Sequence, residues 1–79
     1  MNDIGQKIKE LRKKNGFTQE ELAGSLGVTF QSVSKWETGS TTPDLGLIVP
    51  LAQILNVSTD ELLGMHSDRD MREKRKYAD

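Results

Sequence analysis

The stretch TQEELAGSLGVTFQSVSKWE, residues 18–37, decides the fold predicted for this chain. Its apolar residues fall at helical spacing in two runs, one on each side of Gly27. Thr18 with Glu21 matches a capping box at the start of the first run, and Thr29 can cap the second. Because glycine adopts a positive φ without strain, Gly27 can turn the chain sharply between the runs. The pattern therefore predicts two short helices joined by a tight turn, which is a helix-turn-helix.

Further motifs extend this interpretation over most of the chain. In chain order they are IxxLR (8–12), GFTQEELA (16–23), LGV (26–28), SKWETG (34–39), PDL (43–45), LA (51–52) and NVSTDELLG (56–64). With these motifs the chain, from Ile4 to Gly64, resembles the phage-repressor and Cro-like helix-turn-helix family, often called the XRE family. The resemblance implies an all-α fold, a compact five-helix lambda-repressor-like DNA-binding domain.

Composition restricts the class of protein. Seventy-nine residues suffice for one small domain. The chain has no cysteine and a single histidine, His66, which excludes a thiolate site and a histidine-rich metal cluster. No nucleophile, base and acid have catalytic spacing, so we expect no enzyme, no cofactor and no metal. No apolar run reaches membrane-spanning length and the N-terminus is not a signal peptide, so we expect a cytoplasmic protein with no membrane partner.

Charge gives little support to nucleic-acid binding. The net charge is −1, and residues 1–64 hold six basic against eight acidic side chains. A basic cluster, residues 12–14, ends the first predicted helix, whereas Lys35 is the one basic residue in the second helix of the helix-turn-helix. We therefore expect modest affinity, with few phosphate contacts from basic side chains.

The fourth helix is predicted to begin with Thr42 as N-cap and Pro43 as the first helical residue. Gly46 weakens this helix, and Pro50 lacks one internal donor and crowds the carbonyl four residues earlier. We therefore expect a kink, or a loose first turn and a fresh start near Pro50. The apolar face expected to point inward comprises Leu45, Ile48, Leu51, Ala52 and Leu55.

The first and fifth helices bound the predicted domain. The first begins at a cap on Asn2 or Asp3 and ends at about residue 14. The fifth is short, with a capping box formed by Ser58 and Glu61 and a stop at Gly64. Its inward residues are expected to be Leu62 and Leu63.

Residues 1–64 are thus predicted to form a helix-turn-helix DNA-binding domain, and residues 65–79 a charged tail or the start of a linker or helix. Ser67 with Asp70 can cap a sixth helix, and a frayed tail is the alternative. The chain ends without a helix stop. This end is consistent with the N-terminal fragment of a larger protein, and a full-length chain is the alternative.

Base contacts are expected on the outward side of the second motif helix, because that helix enters the major groove in helix-turn-helix proteins. If Val33 and Trp36 face inward, Gln31 can pair with adenine and Lys35 can donate to guanine or to a phosphate. Phe30 suits a thymine methyl, and packing against the neighbouring helix start is its alternative. The expected base contacts are Phe30, Gln31, Ser34 and Lys35.

The resemblance implies further contacts to the DNA backbone. In similar repressors an arginine at position 12 pairs with a glutamate at the place of Glu37, which implies a partly buried fork with one guanidinium edge toward a phosphate. Two independent surface charges are the alternative. Gln19 resembles the backbone-contacting glutamine of the family, and amides near residues 39–42 can also meet phosphates. The expected backbone contacts are Arg12, Thr18, Gln19, Thr38, Ser40 and Thr41.

The function implied by the resemblance is sequence-specific DNA binding by a transcriptional regulator, acting as a repressor on a palindromic operator. Double-stranded DNA is the expected partner, together with a second copy through helix five and the C-terminal region, where Leu63 and Met65 are the expected apolar contacts. An antitoxin and a restriction-modification controller remain open as alternatives with the same DNA-binding mode. A protein-interaction module that has lost DNA binding is a third alternative, which the negative charge favours.

Overall fold

Residues 4–64 are described by a computed structural model, and these residues form five helices. The helices are α1 (Ile4–Lys14), α2 (Gln19–Leu26), α3 (Phe30–Thr38), α4 (Leu45–Leu55) and α5 (Thr59–Leu62). No strand occurs within this range, so the predicted all-α, five-helix class is confirmed. Within the same range, no helix has both the length and the apolar character that crossing a membrane requires.

One continuous core holds the five helices together, with each helix contributing one apolar stripe. α3 packs against both α1 and α2, and α4 packs against α2 and α5. Phe17 joins the core from the connection before α2, as a half-buried side chain. The buried apolar residues are Ile8, Leu11, Leu22, Ala23, Val33, Trp36, Ile48, Leu51, Ala52, Leu55 and Leu62.

The backbones of α1 and α3 approach each other unusually closely at Gly5. A Cβ atom placed on Gly5 would overlap the carbonyl oxygen of Trp36, which belongs to the backbone of α3. A backbone atom cannot move aside without shifting its helix. At this separation of α1 and α3, position 5 therefore accepts only glycine. Gly5 therefore sets how near the long first helix lies to α3.

The start of α4 differs from the prediction. Asp44, and not Thr42, is the N-cap, with φ −76° and ψ 169°, and its side chain makes no capping hydrogen bond. Pro43 precedes the helix and is buried, so it serves as a packing residue. Leu45, expected inward, is 89% exposed. It is the first helical residue, and a helical side chain leans toward the preceding turn, which is absent here.

The predicted fresh start of a helix near Pro50 is wrong, because α4 continues from Leu45 to Leu55 through that residue. Proline removes the donor that would bond to the carbonyl of Gly46. Gly46 lies in the first turn of α4 and is exposed, so water can satisfy its carbonyl oxygen.

The structure confirms part of the prediction for α5. The Ser58 hydroxyl accepts a hydrogen bond from the amide of Glu61 at 3.0 Å, and Gly64 follows the helix with φ +80°. Leu62 is fully buried, but Leu63, expected inward, is 44% exposed. The predicted cap at residues 2–3, the sixth helix at residues 67–70 and the contact at Met65 lie outside the described residues.

Alanine at Gly5 tests the close approach of α1 and α3. We expect Gly5→Ala to lower the free energy of unfolding by about 1–3 kcal/mol, the usual cost of forcing extra atoms into a packed contact. Urea unfolding measures the loss. Gly24 is the matched control: it lies inside α2, and an added Cβ would have nothing within 4 Å. Gly24→Ala should be neutral or stabilise by about 0.5–1 kcal/mol. Equal effects of the two substitutions would contradict the close approach.

Candidate nucleic-acid interface

α2 and α3 are joined as the sequence predicts. The Thr18 hydroxyl accepts from the Glu21 amide at 3.0 Å, and the Glu21 carboxylate accepts from the Thr18 amide at 2.9 Å, so the capping box is complete. At the other end of α2, Gly27 adopts φ +74° and the Val28 amide donates to the Ala23 carbonyl at 3.0 Å. These bonds end α2 and turn the chain directly into α3.

α3 has one buried and one exposed face. Its start is fixed by the Thr29 hydroxyl, which accepts from the Ser32 amide at 3.1 Å. Val33 is fully buried and Trp36 is 4% exposed, so these two side chains anchor the helix in the core. Phe30 leaves 44% of its surface in solvent, although a phenyl ring gains by burial. What we call the exposed face of α3 comprises Phe30, Gln31, Lys35 and the half-buried Ser34.

The segment after α3 combines exposed hydroxyl groups with backbone amides that close the end of the helix. Gly39 ends the helix with φ +87°. The amides of Ser40 and Thr41 both donate to the Lys35 carbonyl, at 2.9 and 3.3 Å. These two amides close α3, so among the amides expected to meet phosphates near residues 39–42 they are already bonded within the protein. The side chains of Thr38, Ser40 and Thr41 are exposed. The Thr38 hydroxyl donates to the Lys35 carbonyl at 3.2 Å, and it also lies 3.2 Å from the Ser40 hydroxyl.

A buried charged network links α1, α2 and α3. The Arg12 Nε donates to Glu37 Oε2 at 2.6 Å and the Arg12 Nη2 donates to Glu37 Oε1 at 3.1 Å, which forms a bidentate fork. The Arg12 Nη1 donates to the Phe17 carbonyl at 2.8 Å. The two side chains are 11% and 3% exposed, so they are not independent surface charges.

Gln19 completes this network, because its Nε2 donates to Glu37 Oε1 at 2.9 Å. Burial alone would raise the pKa of the Glu37 carboxyl. The hydrogen bonds from Arg12 and Gln19, together with the charges of Arg12 and Lys9, outweigh burial and leave the pKa below its ordinary value of 4.5. Glu37 is therefore ionised at neutral pH inside the protein, and it holds the start of α2 and the end of α3 together.

Two contacts that shape the interface have no counterpart in the sequence-based prediction. One is the close approach at Gly5, which positions α3 against α1. The other is the bond from Gln19 to Glu37, which joins residues 18 positions apart. No local pattern indicates either contact, because both depend on how the helices pack. Among the described residues, no group of three or more His, Cys, Asp or Glu side chains could hold a metal ion.

The family assignment follows from residues 8–62, which match the helix-turn-helix family model. The chain belongs to this helix-turn-helix family. Its relatives are of the phage-repressor, XRE type, so the resemblance found in the sequence is confirmed. A SPbeta prophage-derived uncharacterized HTH-type transcriptional regulator, YonR of Bacillus subtilis (strain 168), is 41% identical over 71 residues, which cover 89% of this chain and 66% of that protein.

Solved structures of DNA-bound regulators share the fold. The P22 c2 repressor in complex with a synthetic operator has a TM-score of 0.76 and 31% identity, covering 82% of this chain and 98% of that one. SinR, a master regulator for biofilm formation, in complex with DNA, has a TM-score of 0.70 and 36% identity, covering 76% and 97%. The chain spans about two thirds of YonR and about half of ImmR, another B. subtilis regulator that it matches.

A double-mutant cycle tests the buried pair in this helix-turn-helix domain. We expect Arg12→Ala and Glu37→Ala each to lower the free energy of unfolding by about 3–5 kcal/mol, because each leaves the other charge buried without its partner. The double variant should lose less than the sum of the two single losses. Urea unfolding of all four proteins measures the coupling, and strictly additive losses would contradict the pairing.

The pH dependence of stability gives an independent check on Glu37. A carboxyl whose pKa is lowered by folding stabilises the protein above its ordinary value of 4.5, and this stabilisation is lost as the pH falls through the folded pKa. Glu37→Gln keeps the shape and removes the charge. Below pH 4.5 the free energy of unfolding should therefore fall more steeply for the parent than for Glu37→Gln. The difference in this free energy between the two proteins should become smaller as the pH falls. If the free energies of unfolding of the two proteins change in parallel with pH, the pKa of Glu37 is not lowered.

Proposed function

We propose that the chain is a sequence-specific DNA-binding transcriptional regulator, acting as a repressor, that inserts α3 into the major groove of a palindromic operator. The observation that carries this proposal is the exposed face of α3. Phe30, Gln31 and Lys35 are exposed on a helix whose other side is buried, in the element that helix-turn-helix proteins use on base edges. The DNA complexes of the P22 c2 repressor and SinR, which share this fold, support the same use here.

The chemistry of the exposed face suits base edges. Gln31 offers a donor and an acceptor in one amide, the arrangement that pairs with both adenine atoms in the major groove. Phe30 gains by covering its exposed ring with the methyl group of a thymine. Lys35 can donate to guanine or to a phosphate, and Ser34, half-buried, can contact only the margin of the groove.

Backbone contacts are proposed for the polar residues around the two helices. Thr18 and Gln19 open α2, where the helix dipole favours a phosphate but Glu20 and Glu21 in the same turn oppose one. Nε2 of Gln19 carries a second N–H, which can reach a phosphate while the first remains on Glu37. For Arg12 the fork leaves at most one edge of the guanidinium, since three of its donors are used inside the protein. Beyond α3, the proposed contacts are the hydroxyls of Thr38, Ser40 and Thr41, and that of Thr38 must first leave the Lys35 carbonyl to which it donates.

We further propose that residues 1–64 form the DNA-binding domain, that residues 65–79 form a charged tail or the start of a linker or helix, and that two copies associate through α5 and that C-terminal region. The exposed Leu63 at the end of α5 supports this surface. A dimer places two α3 helices about 34 Å apart, one turn of DNA. We expect a full palindrome to bind more tightly than a half-site in gel-shift titrations. Equal affinity for both DNAs would contradict the dimer.

Proteins with this fold can have other functions, and three alternatives to the DNA-binding regulator are considered for this chain. The chain also resembles a restriction-modification controller, C.AhdI. YonR, ImmR, the P22 c2 repressor and SinR are all named as regulators or repressors, so neither the controller nor an antitoxin is favoured. A protein-interaction module without DNA binding is less favoured, because it gives no reason for Gln31 and Lys35 beside Phe30. We propose a cytoplasmic, non-enzymatic regulator that needs no cofactor.

Substitutions on the exposed face of α3 test the function directly. Gln31→Ala should cost about 1–3 kcal/mol on the best site and relax the preference at one base pair per half-site. Phe30→Ala should lose discrimination between thymine and uracil, which lacks the methyl group. Lys35→Ala should weaken all sequences alike and lower the salt slope if it contacts a phosphate. The measurement is affinity for operator variants, starting from a site selected from random DNA.

Thermal melting is the control for these variants. None of the three side chains belongs to the core, so each variant should melt like the parent. If Phe30→Ala and Gln31→Ala melt like the parent and keep its full base preference, another surface contacts the bases. If the parent itself shows no salt-dependent binding to duplex DNA, the interaction module becomes the better explanation.

A further inference from the structure

Asn15 is followed by Gly16, and the proposed function leaves this pair unused. The chain has three asparagines, Asn2, Asn15 and Asn56, and only Asn15 precedes a glycine. Asparagine is chemically labile because the backbone nitrogen of the next residue can attack its side-chain carbonyl carbon. A glycine in the next position has no Cβ to hinder that attack. An Asn-Gly pair is therefore the most reactive context for this chemistry.

The fold holds both reacting groups in hydrogen bonds. Asn15 Nδ2 donates to the Leu11 carbonyl at 2.8 Å and to the Leu55 carbonyl at 3.0 Å, so it ties the end of α1 to the end of α4. The Gly16 amide, the attacking group, donates to the Lys13 carbonyl at 3.0 Å. Ring closure has to break these bonds, because the side-chain nitrogen must leave and the amide nitrogen must turn toward Cγ.

We propose that Asn15 is a site of spontaneous deamidation, which the folded state protects and which opening of the α1–α2 connection exposes. In the reaction the Gly16 nitrogen forms a bond to Asn15 Cγ while the bond from Cγ to Nδ2 breaks. Ammonia leaves with the proton lost from the Gly16 nitrogen. Water then adds to either carbonyl of the cyclic imide, which yields aspartate or isoaspartate at position 15.

The product weakens the structure that protected the asparagine. A carboxylate only accepts hydrogen bonds, so an acid at position 15 would direct its oxygens at the carbonyls of Leu11 and Leu55. The Leu11 carbonyl would keep the bond from the backbone amide of residue 15, whereas the Leu55 carbonyl would lose the bond from the side chain. The converted fraction increases with time, because the reaction is not reversed. The modification also adds a negative charge directly after Lys13 and Lys14, on a chain whose net charge is already −1.

The first experiment compares deamidation of the full chain in native buffer and in urea, at one temperature and one mildly alkaline pH. Peptide mass spectrometry follows the conversion of each asparagine. Asn56 is the internal control, because it precedes the β-branched Val57, whose side chain hinders ring closure. In urea, Asn15 should convert much faster than Asn56. In native buffer, its conversion should slow by at least about tenfold, since reaction then requires local opening.

Two results would overturn the proposal: equal rates at Asn15 and Asn56 in urea, or the same rate at Asn15 with and without urea. A second measurement uses Asn15→Asp, which reproduces one product. It should lower the urea midpoint more than Asn56→Asp, which adds the same charge at a residue whose side chain makes no hydrogen bond within residues 4–64. If Asn15→Asp unfolds at the midpoint of the parent, deamidation at this site leaves the fold intact and the proposed consequence is wrong.

Discussion

The buried carboxylate of Glu37 is the point on which the arrangement of the first three helices depends. A carboxylate whose side chain is only 3% exposed is tolerated only when it accepts hydrogen bonds inside the protein. Here the donors are the Arg12 guanidinium from α1 and the side-chain amide of Gln19 at the start of α2. An apolar cluster of equal volume would also bury surface, but it would accept several relative positions of the helices. The fork between Arg12 and Glu37 has one geometry, so it fixes where α3 lies. A buried ion pair adds little net stability, and we infer that its contribution here is this fixed geometry.

The same constraint explains how a helix of nine residues can present side chains on one side while held only by the other. Val33 and Trp36 are its two buried anchors, and two anchors alone would leave a short helix free to rock. The absence of a side chain at Gly5 lets α1 approach the backbone of α3, and the pair at the end of α3 restrains that end. Position and orientation of the exposed face are therefore set by backbone contact and charge, both outside the face itself. Substitutions on that face can change recognition without changing the fold.

The sequence predicted the features that depend on near neighbours in the chain. The helix caps and glycine stops join residues three to six positions apart, and the caps of α2 and α3 form as expected. At α5 the Ser58 hydroxyl forms its half of the predicted capping box. Errors arose where packing overrides local preference: Pro43 is buried, so α4 begins later than a proline in the first turn suggests, and Leu45 is left in solvent. Gly5 and the bond from Gln19 to Glu37 were not predicted, because they require the relative positions of helices that are distant in sequence. Of the candidate interface, the identity of the exposed side chains was predictable, but the commitment of the Ser40 and Thr41 amides to α3 was not.

A net charge of −1 is compatible with DNA binding if the acids lie where they cost little. Glu20 and Glu21 lie in the first turn of α2, and Asp60 and Glu61 in the first turn of α5, where the helix dipole favours them. Glu37 is neutralised by its fork with Arg12. Among the proposed contact residues, Lys35 and one edge of Arg12 are the basic groups left for phosphates, so the proposed complex would release few counterions and non-specific binding would be weak. The base contacts of α3 would then carry a larger share of the total affinity. A regulator built in this way would gain discrimination between sites by giving up general attraction to DNA, and its affinity would depend more on the exact base sequence than on salt.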